Sequence, residues 1–180
     1  SPSLIANGAV VVRSSGSLPS AGPELMLDYN TGSSSWRTAG LAGQYAVIQL
    51  GGGLRTLTGV QLSPLSDCCS GTPANESVKD FEVWVSSTTS DDAAFTRVLT
   101  ATALNRVLLQ GFPFPGGPVP ALYVKYVPLS NNSSTSSIAT AVFEVTADDA
   151  AAVVSASSQW TSSFPPQAGT DGNSFTRWLT

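Results

Sequence analysis

Most of the chain consists of short segments in which apolar and polar residues alternate, whereas the helical spacing of about 3.6 residues is almost absent. Gly, Pro, Ser and Asn separate these segments, as they do between the strands of all-β domains. About eight segments, each with one apolar face, predict an all-β antiparallel sandwich. The predicted strands are Val10–Val12, Tyr45–Leu50, Leu57–Leu62, Phe81–Ser86, Phe95–Thr100, Leu104–Gln110, Leu122–Val127 and Ala139–Thr146.

This sandwich is expected to span residues 8–146, and we assign residues 1–148 to one domain. The longest irregular segments are Ser63–Val78 and Ser130–Ser137, and loops carry ligand contacts more often than strands do. The rigid apolar segment Phe112–Pro118 is interpreted as covering an edge of the sandwich, with partner contact as the alternative. The predicted core residues are Ile48, Leu62, Phe81, Val83, Val124 and Phe143.

The composition excludes several classes of function. Only 11% of the residues are charged, against about 25% in an average domain, and the net charge is -4. Because no basic run exists to bind a phosphate backbone, nucleic acid is not an expected partner. The chain has no histidine, which excludes a Ser-His-Asp triad, a Cys–His pair and a His-ligated zinc site within it. No apolar run approaches the roughly 18 residues of a membrane span, so we expect no membrane insertion.

Cysteine and sequon positions bear on the cellular compartment. Cys68 and Cys69 are adjacent: they pair with each other, or one or both pair outside the chain, or they are unpaired thiols in a loop. Sequons for N-glycosylation occur at Asn75 and, overlapping, at Asn131 and Asn132, in polar segments that we interpret as loops. These features indicate a secreted or cell-surface glycoprotein. The N-terminus lacks the features of a signal peptide, so we interpret the chain as a mature or internal segment.

A segment near the C-terminus repeats a pattern from the N-terminal part. In both copies a Val-Val pair is followed by small hydroxyl residues, a Pro-containing loop, Asp-x-Asn, a further hydroxyl residue and Trp. We interpret residues 149–180 as a linker and the truncated opening of a second module, and we expect the natural protein to continue past Thr180. The matching positions are Val11, Val12, Asp28, Asn30 and Trp36 in the first copy, and Val153, Val154, Asp171, Asn173 and Trp178 in the second.

These openings resemble those of discoidin-like domains, also called coagulation factor 5/8 type C domains, a group that includes galactose-binding carbohydrate-binding modules. Asp171 to Trp178 match the family pattern Asp-Gly-Asn-x-x-Thr-x-Trp completely, whereas in the first copy Tyr29 replaces the Gly and Trp36 lies one residue late. The resemblance covers most of residues 8–146, and it implies an antiparallel jelly-roll β-sandwich of about eight strands without catalysis. Later segments that resemble successive family strands are Gln44–Gly51, Leu57–Leu62, Val78–Ser86, Ala121–Tyr126 and Ala139–Val145.

The family often holds one structural Ca²⁺ or Na⁺ beside the opening loop. A hard cation prefers about six to eight oxygen ligands. Val142 occupies the position of a family Glu, which leaves one carboxylate, and Glu144 reaches the site only if the strand is shifted. The alternative is that Asp28 and Asn30 cap a turn through their own backbone. The ligands that the resemblance implies are Asp28, Asn30, Ser33 and the carbonyl of Ala141.

The aromatic residues do not locate a sugar site. By resemblance, Trp36 packs beneath the opening loop, in a structural role. Trp84 faces away from the apolar side of its strand, where it either stacks on a sugar ring or contacts a second layer or a neighbouring domain. Glycan-binding members of the family combine an aromatic residue with Arg, His or Asn at their loops, and no loop here shows a clear aromatic-plus-Arg cluster.

The sequence therefore predicts a non-catalytic binding module of a larger extracellular glycoprotein, with glycan recognition or adhesion as its function. The alternative is a structural tandem module that mediates protein–protein assembly with neighbouring subunits and binds no free sugar. A third hypothesis, an appended domain of a secreted carbohydrate-active enzyme, requires a catalytic domain elsewhere in the full protein.

Overall fold

The alternating segments form two antiparallel β-sheets that pack face to face. The structure is a computed structural model, and it describes residues 3–30, 34–65 and 73–148. The predicted second repeat in 149–180, both cysteines and Ser33 lie outside these residues. The described part up to Ala147 belongs to one compact unit. Within the described residues, no helix has the length and apolar character needed to cross a membrane.

Both sheets have five strands, and all pairings between the strands are antiparallel. The first sheet consists, in spatial order, of β1 (Val10–Ser14), β3 (Ala46–Gln49), β9 (Tyr123–Pro128), β5 (Asp80–Ser86) and β6 (Thr96–Thr102). The second consists of β2 (Trp36–Arg37), β10 (Ala139–Ala147), β4 (Arg55–Pro64) and β7 (Gln110–Pro113), with β8 (Val119–Ala121) also paired with β4. Short 3₁₀ helices occur at Ile5–Asn7, Pro23–Met26 and Asp92–Ala94. The predicted all-β sandwich is confirmed.

The predicted core residues lie between the sheets, and all six are fully buried: Ile48, Leu62, Phe81, Val83, Val124 and Phe143. Burial of one such side chain contributes about 1.5–3 kcal/mol. Tyr126 lies among the core aromatics, with its ring centroid 4.5 Å from that of Phe143 and 5.9 Å from that of Phe81. Trp36 is also fully buried and donates its indole N–H to the carbonyl of Gly16, so it has the structural role expected of it.

One strand prediction, Leu104–Gln110, is wrong: residues 104–109 form a loop, and β7 begins only at Gln110. Two apolar residues of this segment face solvent, since Leu104 is 61% and Leu108 is 43% exposed. The side-chain amide of Gln110 closes the loop by accepting a hydrogen bond from Leu104 N and donating one to Leu104 O. β7 then includes Phe112 and Pro113 at the edge of the second sheet, where a proline is tolerated.

The outer face of the first sheet carries a row of side chains that crosses all five strands. Ala46 and Ile48 face the core, so Val47 between them faces away from it. In β6 the register shifts by one residue at Val98, and this bulge places Arg97 opposite Trp84. In spatial order the row consists of Arg13, Val47, Lys125, Trp84 and Arg97.

Candidate functional site

A pocket of about 370 Å³ opens on this outer face. Its volume is within the range of small-molecule sites, which are about 300–1,000 Å³. The segment before β3, the strands β5 and β9, and the connection between β5 and β6 supply its walls. The lining residues are Gly43, Gln44, Tyr45, Glu82, Trp84, Asp92, Phe95, Lys125 and Val127.

The Trp84 ring is held in place by two neighbours. Its indole N–H donates to Glu82 Oε2 at 3.0 Å, and Arg97 Nη1 donates to Glu82 Oε1 at 2.7 Å. The Arg97 guanidinium also lies 5.6 Å from the centroid of the Trp84 ring, within the range of a cation–π contact. Arg97 does not line the pocket whereas Glu82 does, so the ring is oriented by one group outside the pocket lining and one within it.

Another part of the pocket wall depends on Asp92, which lies in the connection between β5 and β6. Asp92 Oδ1 accepts hydrogen bonds from Lys125 Nζ at 2.8 Å and from Arg13 Nη2 at 2.9 Å. Arg13 donates a further bond to the carbonyl of Ser90 at 2.8 Å. Arg13 belongs to the edge strand β1, so these bonds hold the β5–β6 connection against the far side of the sheet. We call Arg13, Asp92 and Lys125 the charge clamp.

Tyr45 completes this wall beneath the charge clamp. Lys125 Nζ lies 4.9 Å and Arg13 Cζ 5.4 Å from the centroid of the Tyr45 ring, so both cations make cation–π contacts with it. The pKa of Asp92 is lowered to about 2. The hydrogen bond from the Arg13 guanidinium is the largest cause, and the hydrogen bond from the Lys125 ammonium is the second. The Asp92 carboxylate is therefore ionised at neutral pH and acts as a hydrogen-bond acceptor, with no proton to donate.

The pocket combines aromatic surface with a few fixed polar groups. Tyr45, Trp84 and Phe95 provide apolar faces, while Glu82 and Asp92 provide acceptors beside them. A sugar ring has the complementary character, with C–H groups on its faces and hydroxyl groups at its edges. The aromatic faces and the neighbouring acceptors are therefore suited to binding a polyhydroxylated ring.

Within the described residues, no group of three or more His, Cys, Asp or Glu side chains could hold a metal ion.

The predicted cation ligands lie elsewhere, in the opening loop and on β10. Asp28 Oδ1 accepts a hydrogen bond from the backbone N–H of Asn30 at 2.8 Å, and Asp28 Oδ2 accepts one from the Ser34 hydroxyl at 2.6 Å. Tyr29 between them has a φ of 62°, in the left-handed region. These contacts fit the turn-capping alternative.

On β10, Ala141 and Val142 are both fully buried, and the pairing with β4 shifts register between Thr140 and Val142. Glu144 is buried on the same strand, and its burial raises the pKa of its carboxyl group. Together, Asp28, Asn30 and the Ala141 carbonyl offer fewer oxygens than a calcium ion prefers, and both Asp28 oxygens already accept hydrogen bonds. The Ca²⁺ or Na⁺ site therefore stays a prediction.

The three sequon asparagines have different surroundings. Asn75 is exposed, and none of the hydrogen bonds found within the described residues involves its side chain. Asn131 Nδ2 donates to the carbonyls of Ser134 and Ser137, at 3.0 and 2.7 Å. Asn132 Nδ2 donates to the carbonyl of Ser77 at 3.2 Å. Attachment of a glycan at Asn75 would therefore disturb fewer side-chain hydrogen bonds than attachment at Asn131 or Asn132.

Comparison with solved structures finds the same fold in carbohydrate-binding modules. A family 32 carbohydrate-binding module from Clostridium perfringens, in complex with GalNAc-β-1,3-galactose, aligns with a TM-score of 0.60 and 18% identity over 78% of this chain and 96% of that chain. The family 32 module of Streptococcus pneumoniae EndoD aligns with a TM-score of 0.60 and 18% identity over 77% of this chain and 94% of that chain.

A domain described as F5/8 type C, from Bacteroides fragilis, aligns with a TM-score of 0.59 and 17% identity over 76% of this chain and 89% of that chain. No family model matches the sequence. No curated protein matches it either. The chain thus has the fold of family 32 carbohydrate-binding modules and F5/8 type C domains, as the resemblance of its motifs predicts.

Sequence reasoning identified one pocket residue, Trp84, as an outward aromatic. The pairing of Trp84 with Arg97 was not predictable in this way, because it lies on a sheet face, whereas the resemblance implies aromatic-plus-Arg clusters at loops. Glu82 and Lys125 occupy outward positions of predicted strands, and this alternation is the signal that could have found them. Asp92 gave no such signal, since it comes from a connection whose path over the sheet is a tertiary feature.

Proposed function

We propose that this chain is a non-catalytic glycan-binding module of an extracellular protein, and that its ligand binds in the pocket on the outer face of the first sheet. The observation that carries the proposal is the orientation of Trp84, whose ring lines the pocket while Glu82, within the pocket lining, and Arg97, outside it, hold the ring in place. An aromatic ring that is fixed before binding loses little conformational freedom when a ligand stacks on it.

The neighbouring polar groups support the same conclusion. Lys125 Nζ and the carboxylates of Glu82 and Asp92 lie around the aromatic surface, where they can exchange hydrogen bonds with the hydroxyl groups of a sugar. The fold agrees, because solved structures of modules with this fold are in complex with galactose and with GalNAc-β-1,3-galactose. In this proposal the pocket binds and orients a glycan, while any chemistry on that glycan belongs to another domain.

A glycan array followed by isothermal titration calorimetry tests the proposal. We expect the protein to bind at least one class of oligosaccharide and Trp84→Ala to weaken this binding by about tenfold or more, equivalent to about 1.4 kcal/mol. Tyr29→Ala is the matched control, since Tyr29 is 55% exposed and does not line the pocket. Thermal melts of both variants separate a loss of binding from a loss of folding. A folded protein that binds no glycan but still assembles with neighbouring subunits would instead support the structural-module alternative.

A further inference from the structure

A β-bulge in the edge strand β1 turns Arg13 toward the side of the sheet on which the pocket opens. The pairing with β3 skips from Val11 to Arg13, so Val12 is the extra residue of the bulge. As a result Arg13 lies opposite Val47, which faces away from the core. In an unbroken register Val12 would take that place, and Arg13 would lie opposite Ala46 on the core side. The bulge therefore places a guanidinium on the outer face beside the pocket.

From this position Arg13 holds the β5–β6 connection at two points. Its Nη1 and Nη2 donate to Oδ2 and Oδ1 of Asp92, at 3.2 and 2.9 Å. Its Nη2 also donates to the carbonyl of Ser90 at 2.8 Å. Arg13 does not line the pocket, whereas Asp92 and Phe95 of this connection do. The position of these two lining residues thus depends on a side chain outside the pocket.

The Tyr45 part of the wall has separate support from the same strand. The Ser15 hydroxyl accepts a hydrogen bond from Tyr45 N at 3.0 Å and donates one to Gln44 Oε1 at 3.0 Å. Ser15 N also donates to the carbonyl of Tyr45 at 2.9 Å. Loss of the Arg13 guanidinium would remove its cation–π contact with Tyr45 but leave these bonds in place. We therefore expect Arg13 to act on the pocket mainly through Asp92.

We infer that Arg13 is a positioning residue for glycan binding, which fixes Asp92 and the β5–β6 connection in place before the glycan arrives. This inference rests on the proposed function. A wall that is ordered in advance need not be ordered when a ligand binds, so the affinity is higher. The side chains of Arg13 and Asp92 are 36% and 63% exposed, and ion pairs this close to solvent contribute little to global stability. Loss of the guanidinium should therefore lower the affinity far more than the melting temperature.

Substitution of Arg13 tests its effect on affinity. Arg13→Met keeps the length of the apolar stem and removes every donor. With the oligosaccharide that gives the strongest array signal, we expect calorimetry to show about fivefold or weaker binding by this variant. Arg13→Lys restores the charge without the two-pronged donor, so its affinity should lie between those of the wild type and Arg13→Met. Arg106→Met is the matched control and should bind like the wild type, because Arg106 is exposed and does not line the pocket.

A double-mutant cycle on the same oligosaccharide shows whether Arg13 acts through Asp92. In the Asp92→Ala background, we expect Arg13→Met to change the affinity by less than about twofold. A residue that affects only folding would give the same loss in both backgrounds. Such equal losses, or an unchanged affinity of Arg13→Met in the wild-type background, would overturn the inference while leaving the proposed function intact.

Amide hydrogen exchange of the protein without glycan tests the positioning directly. The backbone amides of Ala94 and Phe95 donate to carbonyls within the β5–β6 connection, so their exchange reports its opening. We expect the amides of residues 87–95 to exchange faster in Arg13→Met than in the wild type and in Arg106→Met. Unchanged exchange in this connection would overturn the inference whatever the affinities are. Absence of wild-type binding to every glycan of the array would instead overturn the proposed function, and the inference with it.

Discussion

The hydroxyl groups of Tyr126 and Thr140 lie 2.7 Å apart and join the two sheets by a hydrogen bond through the core. Tyr126 is on β9 of the first sheet and Thr140 is on β10 of the second. Both residues are buried, and burial raises the pKa of the Tyr126 hydroxyl well above its usual value, so it remains protonated throughout the physiological range. A buried polar pair of this kind is favourable only while both members are present.

We expect Thr140→Val to destabilise the fold by about 1–3 kcal/mol, because it leaves the Tyr126 hydroxyl buried without its partner. The shape of the side chain is nearly kept, so the effect reports the hydrogen bond more than the packing. Chemical denaturation measures the free energy of unfolding. In the double variant Tyr126→Phe with Thr140→Val, both polar groups are gone, and we expect part of the loss to be recovered. Equal stability of the wild type and Thr140→Val would show that this bond contributes nothing.

The charge clamp predicts that the free energy of unfolding depends on pH in the acidic range, below about pH 4. The pKa of Asp92 in the folded protein is lowered to about 2 from its ordinary value of 3.8. A lowered pKa stabilises the folded state at pH values above the ordinary pKa of the carboxyl group. This contribution to the free energy of unfolding is lost as the pH falls from about 4 through about 2. Because the Asp92 side chain is 63% exposed, solvent screens the effect and we expect it to be small.

The measurement is the free energy of unfolding between about pH 2 and 6, for the wild type and Asp92→Asn. We expect the difference between the two proteins to be constant above about pH 4 and to shrink as the pH falls towards 2. High salt should reduce the difference at neutral pH, because the clamp is close to solvent. A difference that does not change with pH would contradict an ionic role for Asp92.

The core was predictable from the sequence because alternation along a strand reports which side of it is buried. Phe81 and Phe143 could be assigned to the core in this way, without knowledge of the strand order. The pocket and the charge clamp beside it could not be assembled in the same way, since Arg13, Trp84 and Lys125 lie far apart along the chain. They meet only because the spatial order of the strands is β1, β3, β9, β5, β6, and local alternation does not report that order.

The incorrect strand at residues 104–110 has a related cause. Alternating apolar residues indicate a strand only if one face of the segment is buried. Here Leu104 and Leu108 are exposed, because the segment closes into a loop instead of pairing with a strand. The Gln110 side chain closes it through hydrogen bonds to the backbone of Leu104. Nothing in the apolar pattern distinguishes such a Gln from the outward polar residue of a strand.

The sequons lead to a prediction about modification. In cells that glycosylate secreted proteins, we expect Asn75 to carry a glycan and Asn131 to remain unmodified. The glycan replaces one hydrogen of the side-chain amide nitrogen, and Asn131 uses that nitrogen for bonds to two carbonyls. Glycopeptide mass spectrometry of the secreted protein measures the occupancy of each site, with Asn75→Gln as the control. Full occupancy at Asn131 in folded, secreted protein would contradict the prediction.

Asp28 has two candidate roles in the opening loop, as a cap of the turn and as a cation ligand, and they can be measured separately. The bonds from Asn30 N–H and the Ser34 hydroxyl predict that Asp28→Ala lowers the free energy of unfolding by about 1 kcal/mol in the presence of a chelator, because two donors lose their acceptor. If the loop also holds the predicted structural cation, calcium should raise the melting temperature of the wild type and leave that of Asp28→Ala unchanged. Thermal melts of both proteins, with chelator and with added calcium, measure the two effects separately. A calcium shift of equal size in both proteins would place the ion away from Asp28, and no effect of Asp28→Ala in chelator would refute the turn-capping role.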